Sequence, residues 1–338
     1  MKIKVAFVDF WKEEYVTHDF ENRVRAALAG LGELEVCTAP EQQPDFVFCS
    51  CFGNQVQFYG GTRVQIIGEN QIPDFNLYDY AIGCHDLSFG DRYLRLPYFT
   101  FHKREAVGRL ALEKHTLPLE VYESKQKFCS FVVSNYGANP LREQVFESLS
   151  AYKRVESGGR SRNNQPDGRP VEDKLVFQQQ CRFSMAFENA RTAGYCTEKI
   201  VDGFAAATVP IYWGDPEVTR LYNPEAFIDC GDCATVREMV EKVRAVEEDH
   251  ARWLYMVRQP AYRDEAWARS LLLGDPLGDF IRYIVEQGGE KSRRRSPDFW
   301  GGLYEEKARQ TARLQRQFWW KYYTKGERFL VRKGIWKK

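Results

Sequence analysis

Residues 187–216, FENARTAGYCTEKIVDGFAAATVPIYWGDP, constrain the fold more than any other stretch of the chain. Residues 184–187 close an apolar run, Ala193 and Gly194 loosen the backbone, and Thr197 stands where a helix cap is expected. Ile200, Val201, Phe204 and Ala205 share one helical face, and that helix has to stop before Val209. Pro210 sets the entry to a short β segment at 211–213, and Gly214-Asp215-Pro216 turns it away.

The rest of the chain repeats this alternation. Ile3, Val5 and Phe7 alternate as a strand, and residues 20–31 put Val24, Leu28 and Leu31 on one helical face. Residues 34–37, 46–51, 64–67 and 80–83 read as further short strands between Gly, Pro or Asp. A helix is expected over 101–114, and Pro118 marks a crossing into a second domain. There a strand over 128–134 precedes a helix opened by Asn139 and Pro140. Residues 174–181 return to helix, 227–230 form a strand and 236–247 a helix, and helical segments around Trp253, Trp267 and Ile281 complete the domain. Strands alternating with helices imply parallel sheets covered on both faces. With 338 residues the chain holds two such domains, 1–118 and 119–290, each with its own core.

Two cations then fall at helix beginnings. Lys199 and Arg142 each sit within a first turn, where free amides and the helix dipole already favour an anion. A cation there makes sense if a phosphate joins it, although position alone equally allows a solvated lysine and a surface arginine. Glu69 follows directly on the strand ending at Ile67, at the carboxyl end where open α/β sheets place ligands. A strand-end glutamate without a chemical role is the simpler reading of that residue alone.

The run FEN, then YxTEK, then VPIYWG, with Glu188, Asn189, Tyr195, Glu198 and Lys199 in register, resembles the donor-binding signature of the α1,3-fucosyltransferase family, whose donor is GDP-fucose. The FVVSN…PLR pattern around Arg142 and the aromatic, polar segment 69–99 extend the resemblance upstream, and more loosely it covers about the first 290 residues. The resemblance implies the GT-B architecture, two Rossmann-like domains facing a cleft, with the donor on the C-terminal side and the acceptor on the N-terminal side. It further implies inverting transfer of L-fucose from GDP-β-L-fucose to the 3-hydroxyl of GlcNAc in an N-acetyllactosamine-type acceptor, giving a Lewis x type product. Glu69 would be the base, and Arg142 and Lys199 would grip the pyrophosphate. Glu198 would hold the ribose, Asn189 and Tyr195 would contact the donor, and Glu188 would orient the fucose. GDP-fucose is a substrate here and no cofactor or metal is expected, in keeping with the lack of a DxD motif or a histidine ligand pair. Transfer from another nucleotide sugar, 1,4 linkage, the glucose of lactose as acceptor, and a non-catalytic membrane-associated glycan-binding module are the alternatives.

Charge separates the end of the chain from its body. Residues 291–338 carry 15 Lys and Arg against 4 Asp and Glu, a net of +11, whereas residues 1–290 hold 33 against 43, a net of −10. Leu303, Leu314, Phe318, Trp319, Trp320, Tyr322, Tyr323, Phe329 and Trp336 lie among these basic residues. That mixture suits an anionic membrane surface, and it competes with a helical tail packed back over the domains. An acidic body without a reader motif argues against nucleic acid. The heptad repeats that bacterial family members often carry before such an end are missing, so the oligomeric state is open.

No run of eighteen apolar residues and no signal peptide is read, which points to a cytoplasmic protein, peripheral at most to the inner face of the membrane. Nine scattered cysteines read as reduced, buried thiols. Cys230 and Cys233 have CxxC spacing without the second pair that zinc needs, and read as structural.

Overall fold

The computed structural model describes residues 2–10, 13–100, 105–134 and 138–317. Strands β1 (Lys2–Val8), β2 (Glu33–Cys37), β3 (Phe46–Cys49), β4 (Thr62–Ile67), β5 (Tyr80–Gly83) and β6 (Tyr93–Arg95) form one sheet in the order β2-β1-β3-β4-β5-β6. A second sheet holds β7 (Lys127–Phe131), β8 (Val155–Ser157), β9 (Cys181–Phe187), β10 (Val209–Trp213) and β11 (Ile228–Asp229) in the order β11-β10-β9-β7-β8. Between and after them run helices α1 (Glu13–Ala27), α2 (Glu105–Glu113), α3 (Leu119–Glu123), α4 (Leu141–Tyr152), α5 (Lys174–Gln179) and α6 (Glu198–Ala205). The chain continues through α7 (Val236–Glu247), α8 (His250–Val257), α9 (Glu265–Leu273), α10 (Pro276–Glu286) and α11 (Phe299–Gln315).

Pairing is parallel from β2 through β1 and β3 to β4, and throughout the second sheet. Strands covered on both faces need apolar residues at every position, which is why β3, β5 and β10 are almost unbroken apolar runs. Successive residues of β10 show the two faces. Val209, Ile211 and Trp213 join the core formed with Phe131, Phe183, Val243 and Trp253. Tyr212 points the other way, into the core of Ile200, Phe204 and Leu272.

Each sheet reverses its strand order once, between β1 and β3 in the first and between β7 and β9 in the second. Such switch points open a crevice at the carboxyl ends of the strands. In the first sheet Asp9, in left-handed backbone just after β1, occupies this place. Its carboxylate accepts the amides of Gln55 and Val56, both at 2.9 Å, and Ser50 donates to its carbonyl at 2.6 Å.

The chain divides into two compact units, Met1–Ile82 with Phe89–Leu94 and Gly278–Lys338, and Gly83–Ser88 with Arg95–Leu277. The expected divisions at 118 and 290 differ from these. Helix α2 falls in the second unit because its buried Ala111 and Leu112 complete the core around Phe204 and Leu272, and the Tyr262 hydroxyl donates to the carbonyl of Gly108. Helix α10, expected to finish the second domain, lies in the first unit, where Phe280 meets Tyr80 edge to face.

The described part of the basic end, residues 291–317, is likewise no separate tail. Ser292 bonds Thr62 at 2.6 Å, Arg295 pairs with fully buried Asp79 at 3.0 Å, and Glu305 on α11 pairs with buried Arg63 at 2.8 Å. The expected aromatic residues from Phe318 to Trp336 lie outside the described residues, as do residues 101–104 of the helix expected over 101–114. All nine cysteines are unbridged, and no helix among the described residues is long and apolar enough to cross a membrane. The fold class is the one the sequence implies, two Rossmann-like α/β domains of the GT-B class.

Candidate active site

The second unit's switch point lies between the carboxyl ends of β7 and β9, and the segments leaving those strands bring both expected cations to it. Arg142 is the second residue of α4 and Lys199 the second of α6. Two consecutive residues after β9 hold them. The carboxylate of Glu188 accepts the Lys199 ammonium at 2.9 Å, and the side-chain oxygen of Asn189 accepts the Arg142 guanidinium at 3.1 Å. The Asn189 carbonyl also accepts the amide of Asn139, which ties the start of α4 to the same strand end.

Glu188 is completely buried. Besides Lys199 it accepts the amide and the hydroxyl of Thr197, each at 2.7 Å, so its carboxylate is satisfied within the protein. Its fit depends on Gly214, where a Cβ would stand 2.4 Å from Glu188 Cγ. Thr197 is at the cap position of α6, but its hydroxyl serves Glu188 and takes a bond from Lys199 at 2.7 Å rather than capping the helix.

Burial alone would push the Lys199 ammonium toward neutrality, yet Glu188 and Glu198 together hold it above the usual lysine range. The Lys199 side chain keeps 15% of its surface exposed, enough to reach a further partner. Arg142, 1% exposed, has its pKa lowered by burial, with Glu143 and Glu188 opposing, and a guanidinium keeps its charge through such a shift. The Lys199–Glu198 pair is looser, at 3.7 Å, and leaves Glu198 partly exposed at the start of α6.

Tyr195 is buried and stacks on His85, with ring centroids 5.9 Å apart and planes at 19°. His85 and its neighbour Asp86 back the loop between β9 and α6. Gly194 has a φ of +77°, and a Cβ there would stand 2.1 Å from the Asp86 amide nitrogen. The Gly194 amide donates to Asp215 at 2.9 Å, fixing the loop from the β10 side. Thr197, His85 and Asp215 were not singled out as site residues from the sequence. Asp215 follows directly on the VPIYWG run, but its sequence reading goes no further than the Gly214-Asp215-Pro216 turn.

The polar segment 158–170 is tied back to β8. Asn164 accepts the Ser157 amide and donates to the Val155 carbonyl, both at 2.8 Å. In the first unit Glu69 stands two residues beyond β4, half-buried and close enough to Cys51 to help raise that thiol's pKa after burial. Among the described residues no group of three or more His, Cys, Asp or Glu is placed to hold a metal ion.

Comparison with known proteins gives matches over both halves. Residues 5–102 match the model of the alpha-(1,3)-fucosyltransferase FucT N-terminal domain, and residues 122–263 match the C-terminal model of glycosyltransferase family 10 (fucosyltransferase). The alpha-(1,3)-fucosyltransferase FucT of Helicobacter pylori is 31% identical over 75% of this chain and 59% of its own length. The human 4-galactosyl-N-acetylglucosaminide 3-alpha-L-fucosyltransferase FUT6 is 30% identical over 40% of this chain and 37% of its own. The chain therefore spans less than two thirds of these relatives. A crystal structure of an alpha1,3-fucosyltransferase superposes with a TM-score of 0.66 at 27% identity, covering 81% of this chain and 91% of that one. Others hold GDP or GDP-fucose, each with a TM-score of 0.63. Two family models in sequence order, together matching more than half of the chain, and the shared fold show that it belongs to glycosyltransferase family 10, the fucosyltransferases.

Proposed function

We infer that this chain transfers L-fucose from GDP-β-L-fucose to the 3-hydroxyl of GlcNAc in an N-acetyllactosamine-type acceptor, inverting the anomeric carbon. The observation that carries the reading is the pair of cations, Arg142 and Lys199, fixed by adjacent residues at one switch point. Two anchored cations at two helix beginnings answer the charge of a diphosphate, and arginine can do so with two parallel bonds. The names of the related solved structures, with GDP and with GDP-fucose, support the same donor.

In this mechanism the acceptor oxygen attacks the anomeric carbon from the side opposite the phosphate and gives its proton to Glu69. The bond to the β-phosphate oxygen breaks, and GDP leaves with the electron pair toward Arg142 and Lys199. A placed base contributes about 10²- to 10⁴-fold, and stabilisation of the leaving charge supplies much of the rest. Glu198 holds the ribose, Asn189 and Tyr195 border the donor, and Glu188 acts through Lys199 rather than on the sugar.

Glu69→Ala is expected to abolish turnover while GDP affinity stays unchanged, and Lys199→Ala to weaken both. A Glu69→Ala enzyme that kept most of its rate would refute the base. GDP at a hundred times its Kd should stabilise the protein by about 2.7 kcal/mol, whereas a pure glycan-binding module would not respond.

Attack by the 4-hydroxyl is the second reading, favoured by a relative named human 3-galactosyl-N-acetylglucosaminide 4-alpha-L-fucosyltransferase FUT3, 29% identical over 40% of this chain. NMR of the product decides the linkage. The same reading puts the enzyme at the inner face of an anionic membrane. Phe299 and Trp300, 73% and 74% exposed on a helix with basic neighbours, support that contact. Co-sedimentation with phosphatidylglycerol vesicles should be lost in F299S/W300S.

A further inference from the structure

A second concave site lies in the first unit, at the amino-terminal end of β4. A cavity of about 740 Å³ opens there, and five arginines line it: Arg63, Arg293, Arg295, Arg309 and Arg313. Two carboxylates, Glu290 and Glu305, share the lining. β4 runs about 20 Å from this end to the other, beyond which Glu69 stands, so the cavity is distinct from the proposed base, and none of the proposed donor residues lines it.

Three of the arginines have an evident structural use. Arg63 pairs with Glu305 at 2.8 Å, Arg295 with Asp79 at 3.0 Å, and Arg309 with Glu305 at 3.2 Å and Glu306 at 2.8 Å. The first two pairs fasten residues 291–317 to the sheet, and those of Arg309 lie within α11 itself, while its guanidinium also donates to the Gln57 carbonyl at 3.1 Å. They leave Arg293 and Arg313 unexplained. Arg293 is exposed and forms no ion pair among the described residues, and Arg313, 60% exposed, comes no nearer than 3.7 Å to Glu306. Phe58 and Tyr59 add apolar wall.

We propose that this cavity binds a phosphate-bearing anion, either free in solution or carried on a lipid headgroup. Arg293 and Arg313 grip it, and Arg63, Arg295 and Arg309 supply the field behind them. A carboxylate brings one charge and two oxygens, too little for so many forks. A phosphate monoester brings up to two charges and three acceptor oxygens, each able to take a charge-assisted bond from a separate guanidinium.

The test uses the full chain with its donor site saturated by GDP, at constant ionic strength. Inorganic phosphate is titrated by calorimetry, and phosphatidylcholine vesicles with and without phosphatidic acid are tested by co-sedimentation. Saturable binding of inorganic phosphate is expected, weakened about tenfold or more in R293A/R313A, where two charge-assisted bonds are lost. GDP affinity and melting temperature should be unchanged in that variant, whose altered side chains are exposed. Binding to phosphatidic acid vesicles alone, lost in the same variant, assigns the cavity to a lipid-borne phosphate. R237A/R244A, with two arginines removed from α7, should bind as the unaltered protein does. Neither probe binding, or equal weakening in both double variants, overturns the proposal.

Discussion

Glu188 carries more of the site than its place in a short motif suggests. It is a fully buried carboxylate whose charge is answered by one ammonium. Removing one member of a buried ion pair costs far more than the pair contributes, because the other charge stays behind. Glu188→Ala is therefore expected to destabilise the second unit by about 3–5 kcal/mol, read from urea unfolding. Lys199→Met in the same chain should recover part of that loss, with a coupling of about 1–3 kcal/mol in the double-mutant cycle, while activity stays absent. The sequence sets Glu188 among the expected donor residues but does not show which groups its carboxylate bonds. Its partners, Thr197 and Lys199, come nine and eleven residues later across a loop, and no local pattern reveals that the loop folds back on the carboxylate.

At the scale of elements, α11 shows where sequence reading stops. Its basic and aromatic residues read as a membrane-directed tail, yet Glu305 reaches Arg63 at the start of β4, 242 residues away in sequence. Periodicity records that a helix has two faces and is silent about what covers one of them. Helix α2 failed in the same way: residues 105–113 were assigned correctly as helix, but the apolar face packs on α6 and α9 rather than on the first sheet. The strands were legible because short, almost purely apolar runs between Gly, Pro and Asp have few other uses. β8, three residues long, and β6 were too short to register. Glu305→Ala should cost about 3 kcal/mol by stranding the Arg63 guanidinium, and amide exchange in β4 and α11 should rise together. Glu241→Ala, which removes the partner of exposed Arg237, should leave the urea midpoint almost unchanged.

For the molecule as a whole, two buried lysines set a dependence of stability on pH. Lys114, which donates only to the Val257 carbonyl at 2.7 Å among the described residues, is pushed down to about 7 by burial, and Lys125 to about 8. Between those values and the ordinary 10.5 the unfolded chain holds protons that the folded one lacks, so stability rises with pH through that window. Below it both states are protonated and the penalty is at its full size. Lys114→Met should flatten the rise in urea midpoint above about pH 7, leaving the smaller slope due to Lys125. A slope unchanged by the substitution would show that Lys114 keeps its proton when folded.

The two sheets share a design and have parted in use. Asp9 stoppers the crevice of the first from within, presenting a carboxyl where a nucleotide's phosphates would have to rest. If the proposed donor site is right, the first crevice cannot double as a second nucleotide berth, because a charge of the protein's own already fills it.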